Sequence, residues 1–518
     1  MAAADAAGYV TDVAYIPGFY PHMAPTAMRH VAALNRVVPP AVAGGFRYLE
    51  LGCGLGRSLT TLAAANPQGA FVGVDVNPDH TAAVDRDIAA AGLANARVIT
   101  AGIGGLPADL GQFEFIALHG VFSWVAPEVR AEILAAAGRH LAPGGLLLVS
   151  YNALPGWAHL QPIRGILRQY AALRSGDKVQ RIHDAVRYLV FIRDKHAKYF
   201  EDNPRAAAYV DSMLRQDPRY LVHEYLNEHW TSFYFAEVAR MFVEAGMAFV
   251  GSLPVHTNFW DLCVRPEFQE LFRTTNNRLV TEAHKDFCAN TAFRWDIYAR
   301  LPRAMPDLAD RLRSADDLHF LVARPGTVLP HQANLGVVST TVQGPLYQGL
   351  LDVLGAGSRR LSEIVAAAPL AGTPPADVMR AVDAGVAMGL FEVSAGPTGA
   401  APADLSGPLS VPHAFNRLLL ASEPQAGRAV ALASTASGTG HVLGELDALM
   451  LQELLTGGPA GLVDRIETRL TAAGRLVHRD GTTITDPTER RALLHAAGDN
   501  FRAAILPQLA RVGIVGPA

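Results

Sequence analysis

The stretch Glu50-Leu51-Gly52-Cys53-Gly54-Leu55-Gly56-Arg57 constrains this chain more than any other. It ends FRYLEL (46–51), which reads as a buried strand, and opens SLTTLAAA (58–65), a run of helix formers. Glycines at 52, 54 and 56 let the backbone turn sharply and approach a ligand without a Cβ in the way. The alternation continues with strands at AFVGVDV (70–76), ARVITAG (96–102), FEFIALHG (113–120) and LLLVSYN (146–152). Between them lie the helices HTAAVDRDIAAAG and PEVRAEILAAAGRHL (127–141). Strand–helix alternation with right-handed crossovers predicts an α/β fold with a Rossmann-like parallel sheet. Ligands of such sheets bind at the carboxyl ends of the strands.

A glycine loop opening a helix can hold the phosphates of a dinucleotide. Two residues argue against that ligand. The fingerprint G-x-G-x-x-G needs a glycine at position 57, where Arg57 stands, and the Glu50 carboxylate would repel a pyrophosphate. S-adenosylmethionine (SAM) has the opposite electrostatics: a sulfonium, an ammonium and a carboxylate, with no phosphate. Glu50 suits its cationic methionine portion. Asp75, at the end of the second strand and 21 residues past Gly54, stands where an acid takes both ribose hydroxyls.

The E-x-G-x-G-x-G run with its downstream Asp resembles the class I SAM-dependent methyltransferases. That likeness, with position in the fold, marks Glu50, Gly52, Cys53, Gly54, Gly56, Asp75 and Val76 as cofactor-binding residues. It adds Gly102 and Ile103, beside Ala101, around the adenine, and His119 and Gly120 where the transferred methyl should lie. Tyr20, with Tyr15 and Phe19, is expected to cover the cofactor and to set a ring against the sulfonium. Many members of the family carry an acid after the third strand that bonds the adenine amine. This chain offers none before Asp109. No metal is expected, because methyl transfer needs in-line geometry and a neutral acceptor. His223 and His229 are six residues apart and do not share a helix face, which rules out the H-E-x-x-H zinc motif.

HGVFSWVAPEVR (119–130), LAPGGLLLVSYNALPGW (141–157) and HEYLNEHWTSFYFAEV (223–238) narrow the resemblance. They look like methyltransferases bearing a methyltransferase regulatory domain, among them bacterial lysine methyltransferases that modify outer-membrane proteins. The family's S-W-V-P departs here to Ser123-Trp124-Val125-Ala126, with Pro127 one place later. The resemblance implies a protein lysine N-methyltransferase. It places Trp124, Tyr151, Asn152, Tyr225 and Trp230 in the acceptor pocket, with His223 and Glu224 facing it. His119, Tyr151 and His223 are the candidate catalytic residues. A lysine acceptor has an ordinary pKa of about 10.4, so being neutral at pH 7 costs roughly 4–5 kcal/mol unless a desolvated aromatic channel lowers it. Two alternatives stand beside this reading. One is a methyltransferase acting on a small molecule such as a natural product or a surface sugar. The other is a winged-helix scaffold or regulatory protein with a vestigial SAM domain.

The 518 residues divide, on this reading, into a SAM-binding core with an N-terminal extension (1–158), a helical regulatory or middle domain (159–335), a winged-helix-like domain (336–396) and a mainly helical C-terminal domain (409–518). Lys plus Arg is 44 and Asp plus Glu is 48, a net charge of −4 with no nucleic-acid footprint. The stretch Ala376–Asp383, the candidate recognition helix, sets one Arg against two Asp, the wrong sign for phosphate contacts. The three cysteines suggest no disulfide framework, the N-terminus lacks the basic region of a signal peptide, and no apolar run is long enough to span a membrane. A cytoplasmic protein is expected, acting on a protein or small-molecule methyl acceptor; its oligomeric state is left open.

Overall fold

Strands β1 (Phe46–Leu51), β2 (Gly69–Asp75), β3 (Ala96–Thr100), β4 (Phe113–Leu118), β5 (Leu141–Asn152), β6 (Met247–Leu253) and β7 (Phe293–Arg300) form one sheet in the order β3-β2-β1-β4-β5-β7-β6. The computed structural model describes residues 13, 17–400, 402, 404–422, 428–479 and 482–518; Tyr15 lies outside them. The pairs β2–β3, β1–β2, β1–β4 and β4–β5 are parallel, while β7 runs antiparallel to both β5 and β6. The strand order reverses between β1 and β4, which opens the crevice where ligands of such sheets bind.

Local chemistry sets the helices of this core. Helix α1 (Pro25–Leu34) precedes the sheet, and α2 (Arg57–Ala65) opens directly from Gly56. Helix α3 (Pro78–Ala91) begins with Pro78 at its first position and Asn77 accepting from the Asp79 amide, and ends at Gly92 in the left-handed region. Helix α4 (Pro127–His140) also opens on proline. Met28, Val31, Leu59, Leu62 and Val84 bury one face of the sheet; Ile133, Val238 and Phe242 bury the other. Strand β5 starts five residues earlier than the expected LLLVSYN, at Leu141, and the β4–β5 register shifts between Phe113 and Phe115 to absorb the extra residues.

The expected boundary at residue 158 cuts the sheet. β6 and β7, assigned by sequence to a helical middle domain, complete the core sheet. The helical part is an insertion between β5 and β6: α5 (Gln161–Ala172), α6 (Lys178–Asp194), α7 (Lys198–Asp202), α8 (Pro204–Met213) and α9 (Pro218–Tyr225), before α10 (Phe235–Glu244) returns to the sheet. The boundary at 336 also falls late. Strand His319–Val322 is the centre of a small antiparallel sheet with Arg359–Arg360 and Phe391–Ser394, beside helices Pro345–Gly355, Leu361–Val365 and Pro375–Ala387. The C-terminal helices share a core with Ala64, Ala65 and Ala91 of α2 and α3, so this region packs on the outer side of those two helices. Among the described residues no helix is long and apolar enough to cross a membrane.

Candidate active site

Gly52, Gly54 and Gly56 all have positive φ, at +74°, +52° and +64°. Non-glycine residues adopt this region rarely, which explains the glycine spacing. A Cβ on Gly52 would strike Val121 and one on Gly56 would strike Val84, but a Cβ on Gly54 would project into open space. The loop is pinned from β2. Asp75 Oδ2 accepts from the Gly54 amide at 2.8 Å, and its Oδ1 accepts from the Asn77 amide at 2.9 Å. Glu50 is buried, and its Oε2 has no hydrogen-bond partner among the described residues. Burial, and then the Asp75 carboxylate, push Glu50 up to about 8.

These groups line a cavity of about 340 Å³ at the ends of β1, β2 and β4. The structure brings together there Tyr20, Glu50, Gly52, Cys53, Gly54, Gly56, Asp75, Val76, Gly102, Ile103, His119 and Gly120, as the sequence predicts. It adds Met23, Ser58, His80, Val125, Val129 and Glu132, which motif spacing does not single out. Tyr20 reaches the cavity because its amide donates to Ser58 Oγ of α2. Phe19 instead packs against the apolar core.

A second cavity, about 470 Å³, lies between the sheet and the helical insertion. It shares Tyr20, His119 and Gly120 with the first, so the two meet at that seam. Trp124 and Asn152 line it, as expected. So does one face of α9 and its continuation: Tyr220, His223, Glu224 and Asn227, spaced i, i+3, i+4 and i+7. Trp157, Tyr209, Phe293 and Trp295 complete its aromatic lining. Glu224 is the carboxylate among them. Burial raises it to about 7, while hydrogen bonds from Trp230, Asn152 and Tyr220 and the charge of Arg164 hold it from rising further.

Several expected roles are corrected by this geometry. Tyr151 does not face the cavity. Adjacent strand residues point to opposite faces, so Ser150 and Asn152 face the site and Tyr151 is buried behind it, donating to Asp296 Oδ2 at 2.5 Å. Tyr225 is turned off the lining face of α9 and bonds Tyr209 instead. Trp230 stands behind the wall, with its indole N–H 3.5 Å from Glu224 Oε1 and its ring against Trp157. His119 is not poised as a base. Trp295, a donor only, gives its indole N–H to His119 Nδ1 at 3.2 Å, with Ser150 Oγ 2.8 Å away, so the neutral ring carries its proton on Nε2. Burial, then His22, lower its pKa to about 3. His223 Nε2 donates to the Val13 carbonyl at 2.8 Å, so that ring nitrogen is already engaged.

A prediction follows for Tyr151. Asp296 is buried and accepts from Tyr151, Ser252 and Arg294. Tyr151→Phe removes one bond to a buried charge and should cost roughly 1.5–3 kcal/mol of stability. A denaturant titration reads that loss; cofactor affinity should stay within about twofold of wild type.

Two family models match this chain: a methyltransferase domain over residues 49–145, and a predicted methyltransferase regulatory domain over residues 217–300. An uncharacterized protein of Synechocystis is 28% identical over 512 residues, 98% of this chain and 99% of the relative. An uncharacterized protein of Rickettsia prowazekii is 31% identical over 234 residues, 43% of this chain and 89% of the relative. Among solved structures, PKMT2 from Rickettsia typhi in complex with AdoHcy superposes with a TM-score of 0.69 at 20% identity, covering 97% of this chain and 99% of that one. That likeness shows a shared fold along nearly the whole chain. The first family model runs from Leu49 in β1 to Gly145 in β5, the second from α9 through β7, so the first cavity draws on the first matched segment and the second cavity draws residues from both.

Proposed function

This chain belongs to the class I SAM-dependent methyltransferases that carry a methyltransferase regulatory domain, and we propose that its acceptor is the side-chain amine of lysine in protein. The observation that carries this reading is Glu224, a buried carboxylate in an aromatic cavity that meets the cofactor cavity at Tyr20, His119 and Gly120. A carboxylate walled by aromatic rings suits a cation. A neutral sugar or phenol would gain a hydrogen bond from it but no charge pairing.

The residues of the first cavity fit the cofactor. Glu50 has an oxygen available to the cationic methionine portion, Asp75 stands where it can take the ribose hydroxyls, and the open space over Gly54 leaves room beside them. When bound, the cofactor supplies an electrophilic methyl group. Glu224 holds the incoming ammonium as a carboxylate and accepts its proton at Oε1 or Oε2. The same burial that raises Glu224 lowers the amine, so the two pKa values approach one another. The aromatic walls exclude water, and the His119–Tyr20 pair, with ring centroids 3.7 Å apart, narrows the passage between the cavities. A reducing, cytoplasmic setting belongs to this reading, supported by the three free cysteines.

Glu50 makes cofactor binding pH-dependent. With its pKa near 8, it is mostly protonated at pH 7 in the free protein. The bound cation favours the ionised form, so binding expels the proton and affinity rises with pH until about 8, then levels off. Calorimetry in buffers of different ionisation enthalpy should show release of nearly one proton per SAM bound at pH 7; Glu50→Gln should remove it.

The acceptor is tested with SAM carrying a labelled methyl group, offered to polypeptides and to a small-molecule panel. The expected product is N-methyl-lysine after protein hydrolysis, with no label in polypeptides whose lysines are chemically blocked. Label that appears only in small molecules would refute the protein acceptor.

A further inference from the structure

We propose that Glu132 of α4 accepts the exocyclic amine of the cofactor's adenine and makes the site selective for that base. This inference rests on the family's cofactor and is independent of the lysine acceptor.

Three carboxylates line the first cavity: Glu50, Asp75 and Glu132. Glu50 and Asp75 stand at the ends of β1 and β2, beside the glycine loop. Glu132 lies on another side, where α4 packs against the turn Ile103–Gly105 that follows β3. Its Oε2 accepts from the Gly104 amide at 3.1 Å, which fixes the carboxylate at the cavity wall. A Cβ at position 104 would stand 2.5 Å from the Glu132 carboxyl carbon, so glycine there lets the side chain lie flat against the turn. Ile103, Val125 and Val129 give this end an apolar lining, and Val76, 42% exposed, faces the same space. A purine ring packs on such walls, and a carboxylate at its edge accepts hydrogen bonds but donates none. An amine on the ring satisfies it; a ring carbonyl is repelled. Asp109, the first acid after the third strand in the sequence, lies on the turn Ala108–Leu110 and is not among the residues lining the cavity. The acceptor is therefore supplied from the helix after β4 rather than from the loop after β3.

The test is a calorimetric titration of the full chain with S-adenosylhomocysteine and with S-inosylhomocysteine, in which a carbonyl replaces the adenine amine. Wild type should prefer the adenosyl compound by roughly tenfold or more, the scale of one charge-assisted hydrogen bond. Glu132→Gln keeps an oxygen for the Gly104 amide and adds an N–H that a carbonyl can accept. It should bind the adenosyl compound roughly tenfold more weakly and lose or invert the preference. Asp109→Asn should retain the wild-type preference. The proposal is overturned if Glu132→Gln keeps the wild-type ratio, if wild type does not discriminate, or if Asp109→Asn is the variant that changes it. Failure of wild type to bind the adenosyl compound at all would overturn the cofactor site itself, a result distinct from any of these.

Discussion

Asp75→Ala is expected to weaken S-adenosylhomocysteine binding by at least 100-fold. The carboxylate has two duties within the protein: one oxygen pins the Gly54 amide, the other accepts from Asn77 at the start of α3. In the proposed complex it also takes the ribose hydroxyls. Each hydrogen bond to a charged group contributes roughly 1.5–3 kcal/mol, and every 1.4 kcal/mol is a factor of ten, so losing two ribose contacts alone accounts for about two to four decades. Releasing Gly54 then lets the loop leave its left-handed conformation, which adds to the loss. Asp75→Asn retains an acceptor and should fall between the two. The change has a second signature. Asp75 helps to raise Glu50, so removing its charge lowers Glu50 toward its ordinary value, and the pH at which the variant releases a proton on binding shifts downward. Calorimetry as a function of pH reads both effects.

Glu224→Gln should lower turnover on a lysine polypeptide by roughly 100-fold or more, the usual contribution of a positioned proton acceptor. Cofactor affinity should stay within about twofold, because Glu224 lines the second cavity and not the first. The sign of the pH dependence follows from the required protonation state. Glu224 must be ionised to hold the ammonium and take its proton, so wild-type kcat/KM should fall as pH drops through about 7. Glutamine has no such ionisation, and that acid limb should disappear. A variant that loses activity while keeping the limb would assign the titration to another group.

The parts of the site legible in the sequence are those set by local geometry. A strand, a glycine turn and a helix occupy a few consecutive residues, and the ligand position follows from them. Most of the residues expected around the cofactor accordingly line one cavity, Phe19 being an exception. Long-range pairing is less legible. β7 joins β5 across the whole helical insertion, and no spacing rule links Phe293 and Trp295 to Asn152 and Ser150, although they face each other in register. The alternation in FRWDIYAR carries a signal, since Phe293 and Trp295 share one face while Arg294 and Asp296 share the other. The errors at Tyr151 and Tyr225 are errors of phase. One residue along a strand reverses the face, and one residue along a helix turns it by about 100°. A helical-face reading of 220–227 selects Tyr220, His223, Glu224 and Asn227 and leaves Tyr225 aside. The His119 tautomer depends on Trp295, a neighbour that only the folded sheet brings near.

The central claim is that an amine in the second cavity meets the cofactor in the first through the seam at Tyr20, His119 and Gly120. A cofactor analogue with nitrogen in place of the sulfonium, bearing an aminoalkyl arm, would occupy both cavities at once. Wild type should bind it roughly tenfold or more tightly than S-adenosylhomocysteine, and Glu224→Ala should abolish that advantage while binding S-adenosylhomocysteine normally. Equal affinity of wild type for the two compounds, or an advantage that survives Glu224→Ala, would contradict the account.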